Sequence, residues 1–130
     1  MTKVLIVDDD KFLLDMYSIK FTEKGYLIEI AFSGAEALEK IATGYNPDIY
    51  LVDIIMPVMD GFALIKQIKE KRQNQNSVIV ALSNLGQKDD IERALALGVD
   101  GYIVKASATP SEVVSKVGDI FSHKTPLQTP

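Results

Sequence analysis

Asp48-Ile49-Tyr50-Leu51-Val52-Asp53, followed by Ile54-Ile55-Met56-Pro57-Val58-Met59-Asp60-Gly61, is the stretch on which the reading of this chain turns. A short apolar run bounded by turn residues is the pattern of a buried strand, and this one ends on a carboxylate. In open parallel sheets ligands bind in the crevice beyond the carboxyl ends of the strands, so Asp53 is expected at the mouth of such a crevice. Taken alone, Asp53 could equally be an acid that merely begins a turn. Its company elsewhere in the chain decides between these.

Upstream, Val4-Leu5-Ile6-Val7 is a second all-apolar run, which suggests burial on both faces, and it stops at Asp8-Asp9-Asp10. Phe12, Leu13, Met16, Ile19 and Lys20 follow at helical spacing, with Asp9 or Asp10 as N-cap and Gly25 as the stop. Leu27 to Ala31 forms a shorter strand, interrupted by Glu29 as befits a sheet edge. Ser33-Gly34-Ala35-Glu36 is a capping box opening a helix whose apolar stripe is Ala37, Leu38 and Ile41. Downstream of the opening stretch, Phe62, Leu64, Ile65 and Ile68 mark a third helix running to about Arg72. Val78 to Leu82 is the fourth strand, with Ser83-Asn84-Leu85-Gly86 at its carboxyl end. Ile91, Ala94, Leu95 and Leu97 line a fourth helix, and Gly101 to Val104 form a fifth strand ending on Lys105. Thr109-Pro110-Ser111-Glu112 is a second capping box, and Val113, Val117, Ile120 and Phe121 face inward from the last helix.

Strand and helix thus alternate five times, which predicts an α/β fold: a five-stranded parallel sheet covered by helices on both faces and joined by right-handed crossovers. Pattern alone leaves the strand order open. Residues 1–123 are expected to form one domain and 124–130 a polar, proline-containing tail or linker. The 130-residue length suits one core. With no cysteine, neither a disulfide framework nor a thiolate metal site is available. A formal charge of -4 argues against direct binding of nucleic acid, which demands a basic face. No apolar run is long enough to cross a bilayer, and the three acids after Val7 do not suit a signal peptide, so a cytoplasmic location is expected.

Chemistry-bearing residues collect at the strand ends: Asp8 and Asp9 after the first, Asp53 after the third, Ser83 after the fourth and Lys105 after the fifth. Three carboxylates at one sheet edge repel one another, and a hard divalent cation such as Mg²⁺ relieves the conflict. Asp8 to Asp10 could alternatively do no more than cap a helix. Capping leaves Asp53 and Lys105 on the same edge unexplained.

Asp8-Asp9, Asp53 with Met56-Pro57-Val58-Met59-Asp60-Gly61, Ser83 and Lys105, at spacings of 30 and 22 residues for the last two steps, resemble the receiver domain of two-component response regulators. The resemblance runs from Lys3 to about Phe121, and it implies the flavodoxin- or CheY-like strand order 2-1-3-4-5. It further implies that Asp53 is the phosphoacceptor, served by a sensor histidine kinase or a phosphotransfer protein. Asp9 then resembles the direct Mg²⁺ ligand, Asp8 the acid that holds metal-bound water, and the Ile55 carbonyl a further ligand beside Asp53 itself. Lys105 is implied to pair with the phosphoryl oxygens and Ser83 to donate its hydroxyl to the phosphorylated state. Tyr102 matches the aromatic that changes burial in concert. The output surface implied is the fourth helix, fifth strand and fifth helix, read by a downstream protein, by a missing effector domain, or by a second copy as a homodimer.

The chain departs from the family pattern at two places. Ala106 follows Lys105 where proline joined through a cis bond is usual, and Ile55 and Leu85 flank the site with side chains that cannot orient an attacking water. Slow loss of phosphate is therefore expected. Alternatives are an aspartyl-phosphate phosphatase of the haloacid-dehalogenase type, a flavin or nucleotide binder, and an unphosphorylated receiver-like scaffold. The phosphatase wants an acid where Ile55 stands, and the nucleotide binder a glycine-rich turn after the first strand. Met56 and Met59 suit loop packing better than a hard-cation site, and His123 a helix terminus better than a phosphodonor.

Overall fold

The alternation seen in the sequence is the architecture of the computed structural model, which describes residues 1–84 and 86–124. The elements are β1 (Lys3–Val7), α1 (Lys11–Glu23), β2 (Leu27–Ala31), α2 (Gly34–Ala42), β3 (Ile49–Asp53), α3 (Gly61–Lys71), β4 (Val78–Ser83), α4 (Lys88–Ala96), β5 (Gly101–Val104) and α5 (Pro110–Lys124). The strands form one parallel sheet in the order β2-β1-β3-β4-β5. Leu85 and residues 125–130 of the expected tail lie outside the described residues, and Lys124 ends α5.

The apolar runs lie in the middle of the sheet because each must bury both faces. On one face Leu5, Val7, Tyr50, Val52, Ile79 and Ala81 pack with α2, α3 and α4. On the other, Val4, Ile6, Ile49, Leu51, Val78 and Val80 pack with α1 and α5. β2 holds one edge, where Glu29 pairs with Lys40 at 2.9 Å.

The inward faces of two helices differ from expectation. Phe12 and Ile19 are 72 % and 58 % exposed, and α1 instead buries Leu14, Tyr17 and Phe21. Apolar residues surround α1, so spacing offers several stripes, and packing against the sheet selects one. On α4 the expected Leu95 is exposed and only Ala94 is buried.

Caps follow the sequence more closely. Asp10 caps α1 by accepting from the Phe12 and Leu13 amides, and Ser33 caps α2 by accepting from Glu36. The Thr109 box closes in both directions: the Glu112 amide donates to Thr109 Oγ1 at 3.2 Å and the Thr109 amide to Glu112 Oε1 at 2.9 Å. Asp60, in the motif after β3, caps α3 by accepting from Ala63. Val58 in the preceding loop is the single non-glycine residue with positive φ (70°) among the described residues. That conformation costs a residue bearing a side chain about 1–2 kcal/mol.

Candidate functional site

β1, β3, β4 and β5 run in one direction, so their last residues reach the same rim. Register makes this concrete: Val7 lies opposite Val52, and Ser83 opposite Val104. Asp8, Asp53 and Lys105 therefore meet, although Lys105 lies 97 residues beyond Asp8. Lys105 Nζ donates to Asp8 Oδ2 at 2.7 Å and stands 3.2 Å from Asp53 Oδ1. Asp8 Oδ1 accepts from the Asp10 amide at 2.9 Å, so its two oxygens are aimed by different partners. The peptide bonds among the described residues are all trans, that between Lys105 and Ala106 included, and the ammonium still reaches both acids.

Asp8 and Asp53 are buried at 0 % and 2 % exposure, while Asp9 is exposed. Burial, reinforced by the neighbouring Asp8 charge and opposed by Lys105, pushes the Asp53 carboxyl up to about 7. Burial works to lower the Lys105 ammonium, but Asp8 and Asp53 outweigh it and hold it above its ordinary value. One cation thus serves two acids.

Oxygen atoms of Asp8, Asp9 and Asp53 lie within 4.8 Å of one another. Mg²⁺ binds oxygen at about 2.0–2.1 Å, so ligands on opposite sides of the ion stand roughly 4 Å apart. Three hard carboxylates that need only a small inward adjustment fit that ion, and the donor set contains no sulfur or imidazole that would favour a softer one. Met56 and Met59 belong to the packing of the α2–α3 side.

The remaining residues read from sequence surround this centre. Ile55 follows closely, its amide 3.4 Å from Asp53 Oδ1 and its side chain 59 % exposed. Ser83 is buried at the end of β4. Tyr102 is partly buried against the α2–α4 side, with its hydroxyl enclosed. His123 is exposed near the end of α5, its Nδ1 2.6 Å from the Asp119 carbonyl oxygen.

Gly61 stood in the quoted motif without a role of its own, and Tyr17 was missed in the sequence. A Cβ at Gly61 would collide with the Asp53 carbonyl oxygen and with Ile54 Cα, so only glycine lets α3 begin against the end of β3. The Asp60-Gly61 pair was the available signal. Tyr17 is buried on α1, and burial, opposed by Lys105 and reinforced by Asp8 and Asp53, raises its hydroxyl above its ordinary value. No sequence spacing links it to the rim.

Comparison with known proteins agrees with this arrangement. The sequence profile of the response regulator receiver domain matches residues 4–117. The chain belongs to that family. This receiver is 32 % identical over 120 residues to the chemotaxis protein CheY of Halobacterium salinarum, covering 92 % of this chain and 97 % of that protein. It is 33 % identical over 123 residues to the response regulator SaeR of Staphylococcus aureus, covering 95 % of this chain but 52 % of SaeR, so it spans about half of that relative. Among solved structures, CheY4 of Vibrio cholerae superposes with a TM-score of 0.84 at 31 % identity, covering 92 % of the receiver and 98 % of that chain. A CheY-like receiver domain of Methanospirillum hungatei gives a TM-score of 0.84 at 26 % identity, with 95 % and 96 % covered. Membership places the receiver among the phosphoacceptor switches of two-component systems rather than among enzymes that turn over a substrate.

Proposed function

We propose that the receiver accepts a phosphoryl group on Asp53 from a histidine kinase or phosphotransfer protein, with Mg²⁺, and passes the change to a partner through α4, β5 and α5. The observation that supports this best is the Lys105 ammonium shared between Asp8 at 2.7 Å and Asp53 at 3.2 Å, beside a third carboxylate. An Asp53 oxygen forms a bond to phosphorus as the donor's nitrogen–phosphorus bond breaks and the imidazole departs. Lys105 is placed to neutralise charge on the phosphoryl oxygens. Asp9, Asp53 and the Ile55 carbonyl are the residues that would hold the metal, with Asp8 holding its water. Bound there, Mg²⁺ supplies positive charge that lets the acids remain ionised together.

Phosphorylation adds about -1.5 to -2 charge. Ser83 is the hydroxyl donor that answers it, and Tyr102 carries the change to the output surface, where a downstream protein, an effector domain or a second copy docks. A cytoplasmic location suits such partners, and among the described residues no helix is long and apolar enough to cross a membrane. Incubation with acetyl phosphate and Mg²⁺, followed by intact mass, is expected to add one phosphoryl group to the native receiver and none to Asp53→Asn. Equal labelling of both overturns the assignment. Because Ile55 offers no polar group, the product is expected to outlast seconds.

A further inference from the structure

The attacking water that ends the phosphorylated state must approach phosphorus from the side opposite Asp53, beyond the rim. A cavity of about 230 Å³ opens beside the phosphoacceptor, lined by Ile55, Ser83, Asn84, Gln87 and Asp90. Its position is fixed by two of these. The Ile55 amide is 3.4 Å from Asp53 Oδ1, and Ser83 ends the strand that pairs with β3. Ile55 contributes an apolar wall, so any hydrogen bond to a water there comes from another residue.

Gln87 is the N-cap residue of α4, where side chains commonly accept from the first-turn amides, yet its side chain makes no capping bond. The exposed side chain lines this cavity. A glutamine amide oxygen accepts hydrogen bonds, so it can hold a water in this cavity. Glutamine performs this orientation of water in GTPases of unrelated architecture. Asp90 lines the same cavity, but a carboxylate would repel the phosphoryl group that Lys105 and the metal ligands attract.

We infer that Gln87 orients the water that hydrolyses the acyl phosphate of this receiver, from the cavity it shares with Ile55 and Ser83. The inference rests on the proposed phosphorylation of Asp53. In the step, the water oxygen bonds to phosphorus as the phosphorus–oxygen bond to Asp53 breaks. Asp53 leaves as carboxylate, both of the water's protons stay with the departing phosphate as dihydrogen phosphate, and no external base is consumed. Gln87 then sustains a residual hydrolysis that the apolar position 55 keeps slow.

The test compares native receiver with Gln87→Leu. Both are phosphorylated with acetyl phosphate and Mg²⁺, freed of donor by desalting, and followed by intact mass. The expected result is an equal initial rate of phosphate gain and a plateau no lower than native, with loss from Gln87→Leu slower by about five- to tenfold, the effect of one positioned hydrogen bond. Equal rates of loss overturn the inference and leave Asp53 as phosphoacceptor. Gain and loss slowed together also overturn it, because Gln87 would then shape the site as a whole. Failure of both chains to gain phosphate overturns the Asp53 reading, and this inference with it.

Discussion

Asp53 holds its charge in an unfavourable place, 2 % exposed and beside the Asp8 carboxylate. Burial first, and Asp8 second, raise it to about 7 against the opposing pull of Lys105. An aspartate in an unfolded chain titrates near roughly 3.9. Below that pH the acid is protonated whether the chain is folded or not, and stability does not sense it. As pH rises toward 7 the unfolded chain releases its proton while the folded one retains it, so stability falls, and above 7 the loss is complete. Asp53→Asn removes the burden. Without metal it is expected to be more stable than the native receiver at pH 8, by on the order of a few kcal/mol, with the gain vanishing toward pH 4. Urea unfolding in chelator at several pH values checks this, and a gain independent of pH contradicts it.

Among the elements, helix beginnings were the most legible and helix faces the least. Asp10, Ser33 and Thr109 cap as their local sequences demand, because a cap is decided within four residues. Thr109→Ala is expected to destabilise the receiver by about 1 kcal/mol, and Thr109→Ser to retain most of that stability, read as shifts in the urea midpoint. If alanine and serine behave alike, the bond from the Glu112 amide to Thr109 Oγ1 contributes nothing measurable. The faces of α1 and α4 eluded the sequence for a different reason. Phe12 and Leu95 are as apolar as the residues that are buried, and the face that turns inward is set by the cores that Leu14, Tyr17, Phe21 and Ala94 join. Gly61 is a similar case. Its role follows from an approach to Asp53 that no local pattern encodes.

At the scale of the molecule, the rim could be foreseen because a parallel sheet gathers strand ends on one side. Asp8, Asp53 and Lys105 do meet there, and the roles proposed for them come from the family spacing. The cavity at Gln87 could not be foreseen, since it depends on how the start of α4 lies across Ile55 and Ser83. Three carboxylates with oxygens within 4.8 Å form a cluster that an unfolded chain does not possess. Mg²⁺ is therefore expected to raise the thermal midpoint, by an amount equivalent to about 1.4 kcal/mol at ten times its dissociation constant, and chelator to reverse it. An unchanged midpoint at saturating Mg²⁺ counts against the metal site. The sharing of Lys105 between Asp8 and Asp53 also bears on how the chain is made. Synthesis delivers both acids before the ammonium, so a nascent chain that has docked only its first three strands confronts unrelieved repulsion at the rim. The fifth strand brings the remedy, so a late-made segment of this domain helps to settle a rim that its first strand began.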